Sequence, residues 1–144
     1  MAKHEFGILL QGRVSSWTKD IVAEYNKNFP GAQIVFSTWE NEDPSGIDCE
    51  IIQIEKPAPT KPHDTHINAQ IIGSQEGLKA IDSEIILKSR SDIFIHNRKI
   101  FETYREKCHP EKIMTVNWNT FSYEYRISDF VLVSTTKIMR EFWN

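Results

Sequence analysis

Cysteine, glycine and long apolar runs are all scarce in this 144-residue chain, and each shortage removes a class of protein. Two cysteines, Cys49 and Cys108, cannot build a disulfide framework. The reading is therefore a cytosolic protein with reduced thiols, attached to the inner face of a membrane only through some partner. The longest purely apolar run near the start, Ile8-Leu9-Leu10, is far too short for a signal peptide or a membrane span, so no transmembrane segment is expected. Net charge is -3, with Lys and Arg spread along the chain. Without a basic patch there is no footprint for a nucleic-acid backbone, and no nucleic acid is expected as partner. Small phosphate-bearing ligands stay open, since they need only a metal or one or two local cations. Gly12 stands alone after the first apolar run, so there is no Gly-rich Rossmann fingerprint. Walker A and Gly-x-Ser-x-Gly motifs are absent too, which removes support for ordinary hydrolase chemistry. His63-x-x-His66 and Cys108-His109 lack the tight paired spacing of zinc ligands, and the histidines fall in a proline-rich loop.

What is present reads as one domain over residues 1–144, long enough to bury a sizeable core, with the composition of an ordinary globular protein. Strand and helix patterns alternate. Phe6 to Gln11 is an apolar run ending at Gly12. Ser16 offers an N-cap to a helix whose apolar positions are Trp17, Ile21, Val22, Tyr25 and Phe29, stopped by Pro30-Gly31. Gln33 to Ser37 reads as a second strand with Thr38-Trp39-Glu40 at its tip, and Glu50 to Ile54 as a third. Lys56 to Pro62 is too rich in proline for regular structure. A helix is expected from about Ile67 to Ile81 despite Gly73 and Gly77. Ile100 to Lys107 looks helical, Ile113 to Trp118 looks like a strand, and Tyr125 to Val133 like a turn and strand before a helix from about Thr135 to Trp143. This alternation predicts an α/β fold with a mainly parallel sheet. Phe142 and Trp143 sit at the chain's end, as if a homo-oligomer or another partner covers that helix.

The most informative stretch is Ser83 to Asp92, a short apolar run that leads straight into Arg90-Ser91-Asp92. In open α/β sheets ligands gather at the carboxyl ends of strands, and an acid there suits a hard divalent cation that holds phosphates. The other reading is that Asp92 caps the following turn or helix.

Gly12 to Trp17, Ser37-Thr38-Trp39-Glu40, Asn68-x-Gln70, Lys88-x-Arg90-Ser91-Asp92 and Ser128-Asp129 follow in that order. Together they resemble the WavE lipopolysaccharide-synthesis family, read as glycosyltransferases with the GT-A nucleotide-diphospho-sugar fold. The likeness runs from about Phe6 to Trp143. It implies a three-layer α/β/α domain, truncated at its C-terminus relative to longer members. It also implies transfer of a sugar from a nucleotide-diphosphate donor to a glycan acceptor. The alternative is a non-catalytic nucleotide-binding subunit or an inactive paralogue on the same fold.

By the same resemblance Gln11, Gly12 and Arg13 border the nucleotide, Gly12 by close backbone approach or simply by serving the turn, and Arg13 through a phosphate. Glu40 answers to an acid that contacts ribose or base, and Trp39 either stacks on a base or belongs to the core. Asn68 and Gln70 open the helix that touches the nucleotide, with Asn68 equally suited to be its N-cap. Arg90-Ser91-Asp92 stands where the GT-A Asp-x-Asp motif would be, with Arg90 in place of the first acid. Asp92 would then hold Mg²⁺ or Mn²⁺ on the donor diphosphate. Arg90 would pair with a phosphate or with a neighbouring acid. Asp129 would take the acceptor's proton, or cap a turn, and Asn117 to Thr120 would line the acceptor side or form a strand-end turn.

Overall fold

The computed structural model describes residues 1–116 and 129–144. Six strands and four helices alternate along it. Strand β1 is His4–Gln11, helix α1 Thr18–Asn28, β2 Gln33–Trp39, β3 Glu50–Ile54 and α2 Ile67–Ala80. Then come β4 Ser83–Arg90, α3 Ile100–Lys107, β5 Met114–Thr115, β6 Val131–Thr135 and α4 Thr136–Trp143. They form one sheet in the order β3-β2-β1-β4-β6-β5. The β1–β2, β2–β3 and β1–β4 pairings are parallel, whereas β6 runs antiparallel to both β4 and β5.

Strand periodicity makes the three layers. Ile8 and Leu10, Ile34 and Phe36, Ile85 and Leu87, and Val131 and Val133 all face one way. They meet Ile21, Val22 and Tyr25 of α1 and Phe101 and Tyr104 of α3. The residues between them, Leu9, Val35, Ile86 and Leu132, face the other way, onto Leu78 of α2 and Met139 and Trp143 of α4. Burying both faces requires near-continuous apolar strands, and these strands are so built.

Helix α2 tolerates Gly73 and Gly77 because they are where it presses on the sheet. A Cβ at Gly73 would lie 2.8 Å from Gln11 Nε2, and one at Gly77 would overlap Leu9 Cδ1 and sit 3.1 Å from Ser37 Cβ. Ser37 Oγ donates 2.7 Å to the Gly73 carbonyl, tying the close approach. The contact brings the first turn of α2 to the carboxyl end of β1.

Some boundaries differ from expectation. Helix α1 begins at Thr18 with Trp17 as its N-cap residue, so Ser16 does not cap it. Of the strand expected over Ile113 to Trp118, the described residues form Met114–Thr115, and Asn117 and Trp118 lie outside them. The expected strand-end turn at Asn117 to Thr120, and Tyr125 to Ser128, lie outside the described residues. Trp143 is buried within the chain itself, while Phe142 is 47% exposed. Helix α4 starts on Thr135, whose Oγ1 accepts from the Ile138 amide at 3.4 Å. Among the described residues no helix is long and apolar enough to cross a membrane.

Candidate active site

Sheet order reverses direction between β1 and β4, which makes a crevice at their carboxyl ends. A cleft of about 590 Å³ lies there, walled by the turn after β1, the tip of β4, the proline-rich segment and the start of α2. In register, Gln11 stands beside Arg90. Of the expected site residues, Gln11, Gly12, Arg13, Gln70, Arg90, Asp92 and Asp129 all line this cleft, as does Trp39. Glu40 and Asn68 do not. Glu40 is exposed, with its amide donating to the Ile54 carbonyl at 2.9 Å. Asn68 is exposed and second in α2, with His66 at the N-cap, so it is neither the cap nor part of the cleft wall.

The turn after β1 is tightly fixed. Gly12 has φ +137°, a conformation that L side chains rarely adopt, and a Cβ there would lie 2.8 Å from Ser91 Oγ. The reading of Gly12 as the turn former therefore holds, with Ser91 packed where a side chain would go. The Gly12 amide donates to the Ser37 carbonyl at 3.1 Å, and the Ser91 amide donates to the Gln11 carbonyl at 3.2 Å. Ser91 Oγ bonds the Arg13 carbonyl, and Thr18 Oγ1 donates 2.9 Å to the Ser91 carbonyl. Arg13 itself is well exposed, with Nε 3.5 Å from Glu42 Oε1.

Arg90 and Asp92 form a two-pronged pair: Nε to Oδ1 at 3.0 Å and Nη2 to Oδ2 at 2.7 Å. Asp92 lies within the turn closed by the Ile93 amide on the Arg90 carbonyl, and it caps no helix, since the next begins only at Ile100. The pair is 42% and 36% exposed at its two side chains. Exposed pairs contribute about 0–1 kcal/mol, so an incoming anion can replace Asp92 on Arg90 at small cost. The free protein presents no ready-made divalent-cation site at Asp92, and a cation there would depend on the donor's own phosphates. Mg²⁺ and Mn²⁺ favour several oxygen ligands. Both Asp92 oxygens are held by a guanidinium, Asp129 Oδ2 accepts from Gln70 Nε2, and the described residues contain no group of three or more His, Cys, Asp or Glu that could hold a metal.

Lys88 is the functional candidate that sequence reading passed over. It lies on β4 two residues before Arg90, fully buried, with no hydrogen-bond partner for Nζ among the described residues. Its ammonium sits 4.2 Å from the centroid of the Trp143 ring. Burial pushes its pKa down from 10.5 to about 8, with Arg90 adding to the fall and the Asp129 carboxylate opposing it. The signal was visible: a charged residue inside an otherwise apolar strand. Lys56 and His66 also reach the cleft; Lys56 carried no motif, and His66 was marked only by a His-x-x-His pair set aside as a zinc site.

Three comparisons bear on this arrangement. The model of a family described as WavE lipopolysaccharide synthesis matches residues 10–143. No curated protein matches the chain. Among solved structures, 4-diphosphocytidyl-2C-methyl-D-erythritol synthase from Anaerococcus prevotii is similar at 9% identity with TM-score 0.60, over 97% of this chain and 75% of that one. A cytidylyltransferase from Leptospira borgpetersenii is similar at 13% identity and TM-score 0.60, over 96% and 63%. A glycosyltransferase involved in glycosylating the major capsid of PBCV-1 is similar at 18% identity and TM-score 0.56, over 96% and 65%. The chain spans less than two thirds of the latter two. At these identities the likeness establishes the fold, an α/β nucleotide-sugar-transferase type.

Proposed function

The chain belongs to the WavE lipopolysaccharide synthesis family, and from that premise we propose that it transfers a sugar from a nucleotide-diphosphate donor to a glycan acceptor. The observation that carries the reading is the cleft at the β1/β4 reversal, where Gln11 and Arg90 stand side by side and a carboxylate, Asp129, also lines the cleft. Sugar transfer needs three things there: a seat for a diphosphate, neutralisation of the charge it gains on leaving, and a base for the acceptor hydroxyl.

Arg90 answers the second need. As the glycosyl–phosphate bond breaks, the electron pair leaves with the nucleoside diphosphate, and a guanidinium at the strand tip meets planar phosphate oxygens through two parallel bonds. Asp92 holds that guanidinium in place until the donor arrives. The Gly12 turn lets the main chain come close to the diphosphate, and Lys56 and Arg13 add positive charge around it. Asp129, oriented by Gln70, accepts the acceptor's proton as the new C–O bond forms. Trp39, buried but facing the cleft, offers an apolar wall for a base.

Incubation with a panel of sugar nucleotides and a lipopolysaccharide-core acceptor tests this. The expected result is release of nucleoside diphosphate with one donor, reduced at least tenfold by Arg90→Ala and by Asp129→Asn. Binding of nucleotides without turnover of any donor would favour the nucleotide-binding subunit instead, for which the Arg at the first acidic position is the specific support. Release of pyrophosphate from a nucleoside triphosphate would favour nucleotidyl transfer.

A further inference from the structure

A second pocket, about 300 Å³, adjoins the cleft. Its walls are apolar, made by Ile71 of α2, Leu132 of β6 and Phe142 and Trp143 at the end of α4. It shares Gln70 and Asp129 with the cleft, so one carboxylate borders both spaces. Two buried donors lie at and behind its Trp143 wall. Trp143 Nε1 has no hydrogen-bond partner among the described residues, nor has Nζ of Lys88, which pairs in register with Leu132 and underlies the Trp143 ring. Buried polar atoms are rarely left unpaired without reason.

We infer that this pocket is the subsite for a pyranose acceptor, packed against Trp143 and Phe142 with its reacting hydroxyl on Asp129. The chemistry selects the occupant. A pyranose has apolar C–H faces that suit aromatic and aliphatic walls, and hydroxyls that suit a carboxylate. A hydrocarbon chain would leave the Asp129 carboxylate desolvated and unpaired by the ligand. A phosphate would face that carboxylate with no cationic side chain in the lining. Asp129 on the shared wall places an acceptor oxygen between the two spaces. Its proton passes to Asp129, its lone pair forms the bond to the anomeric carbon, and the nucleoside diphosphate departs with the old bond's electrons. Lys88 is a positioning residue here, since its ammonium holds the Trp143 ring from behind. The inference rests on the donor occupying the cleft.

Titration of the isotope-labelled protein with methyl pyranosides of glucose, galactose, N-acetylglucosamine and heptose, followed at the Trp143 indole N–H resonance, tests it. That resonance is assigned by its loss in Trp143→Phe. At least one glycoside should shift it saturably, with affinity about tenfold weaker in Phe142→Ala, whose ring is half-exposed and whose fold is checked by its Tm. Arg105→Ala, at a residue paired with Glu5 and Glu84 and lining neither space, should leave the glycoside titration unchanged. A Trp143 resonance indifferent to every glycoside in a protein that still binds nucleoside diphosphates overturns the subsite and spares the donor reading. Glycoside binding without any nucleotide binding supports the pocket as a sugar site and overturns the donor reading. Equal glycoside affinity in wild type and Phe142→Ala also overturns it.

Discussion

At the scale of single residues the account turns on what Arg90 does when a ligand arrives. In the free protein it is held by Asp92 at 2.7 and 3.0 Å. A phosphate and Asp92 therefore compete for one guanidinium. Asp92→Asn should leave nucleoside-diphosphate affinity unchanged or raise it, by up to about fivefold, because the pair removed contributes about 0–1 kcal/mol. A fluorescence titration checks this, and a drop of tenfold or more would mean that Asp92 itself holds the ligand, as a metal-binding acid would. Lys88 carries a second prediction. Its folded pKa of about 8 lies below its unfolded value of 10.5, so the unfolded chain binds the proton more tightly across that window. Burying the charged form costs the native state on the order of 3 kcal/mol below pH 8, and the cost fades as pH rises to 10.5. Lys88→Met should be more stable than wild type at pH 7, and the gap should close over pH 8–10.5. Comparing the two proteins cancels the opposing trend from Cys49, whose buried thiol is pushed up to about 12. A gap that stays constant with pH would show that Lys88 is not held in a costly charged state.

At the scale of elements, helix α2 decides how near the cleft's walls come. Gly77→Ala gains about 1 kcal/mol in helix propensity but forces a methyl onto fully buried Leu9, and overpacking costs about 1–3 kcal/mol. Net destabilisation with a fall in Tm of several degrees is expected by thermal denaturation. Gly73→Ala should displace Gln11 instead, weakening nucleotide binding more than it lowers Tm; equal loss of both would place Gly73 in the core only. The helix and strand assignments were largely legible because apolar spacing reports burial directly. Two glycines inside the expected helix had no evident reason, because sequence shows their propensity cost and hides the strand underneath. The caps were harder. Ser16 and Asn68 are good capping residues by type, yet the helices begin at Thr18 and Ile67 with no side-chain bond from their N-cap residues, and the Asn68 amide donates to Thr60 Oγ1 instead. Strand direction was hidden as well, since a period of two is the same either way. The antiparallel β6 emerges only with the sheet assembled.

At the scale of the whole molecule, the strand order brings together residues far apart in the chain. Gln11 and Arg90 are neighbours because β1 and β4 are paired, and Asp129 joins them because β6 lies beside β4. The motifs were legible one by one, and seven of the nine expected site positions line one cleft. Their mutual pairing was legible only as one of two alternatives for Arg90, because the Arg90–Asp92 bond depends on side-chain geometry at the strand tip. Lys88 escaped for the opposite reason: its meaning comes from Trp143, 55 positions away in sequence and directly over its ammonium.

Calorimetric titration with UDP, GDP and CDP in EDTA is the most direct measurement, on wild type, Arg90→Ala and an Arg105→Ala control. Arg105 pairs with Glu5 and Glu84, away from the cleft. The account predicts that at least one nucleoside diphosphate binds without metal, that Arg90→Ala weakens it tenfold or more, and that Arg105→Ala changes nothing. Binding seen only after Mn²⁺ is added, with Arg90→Ala indistinguishable from wild type, would contradict it.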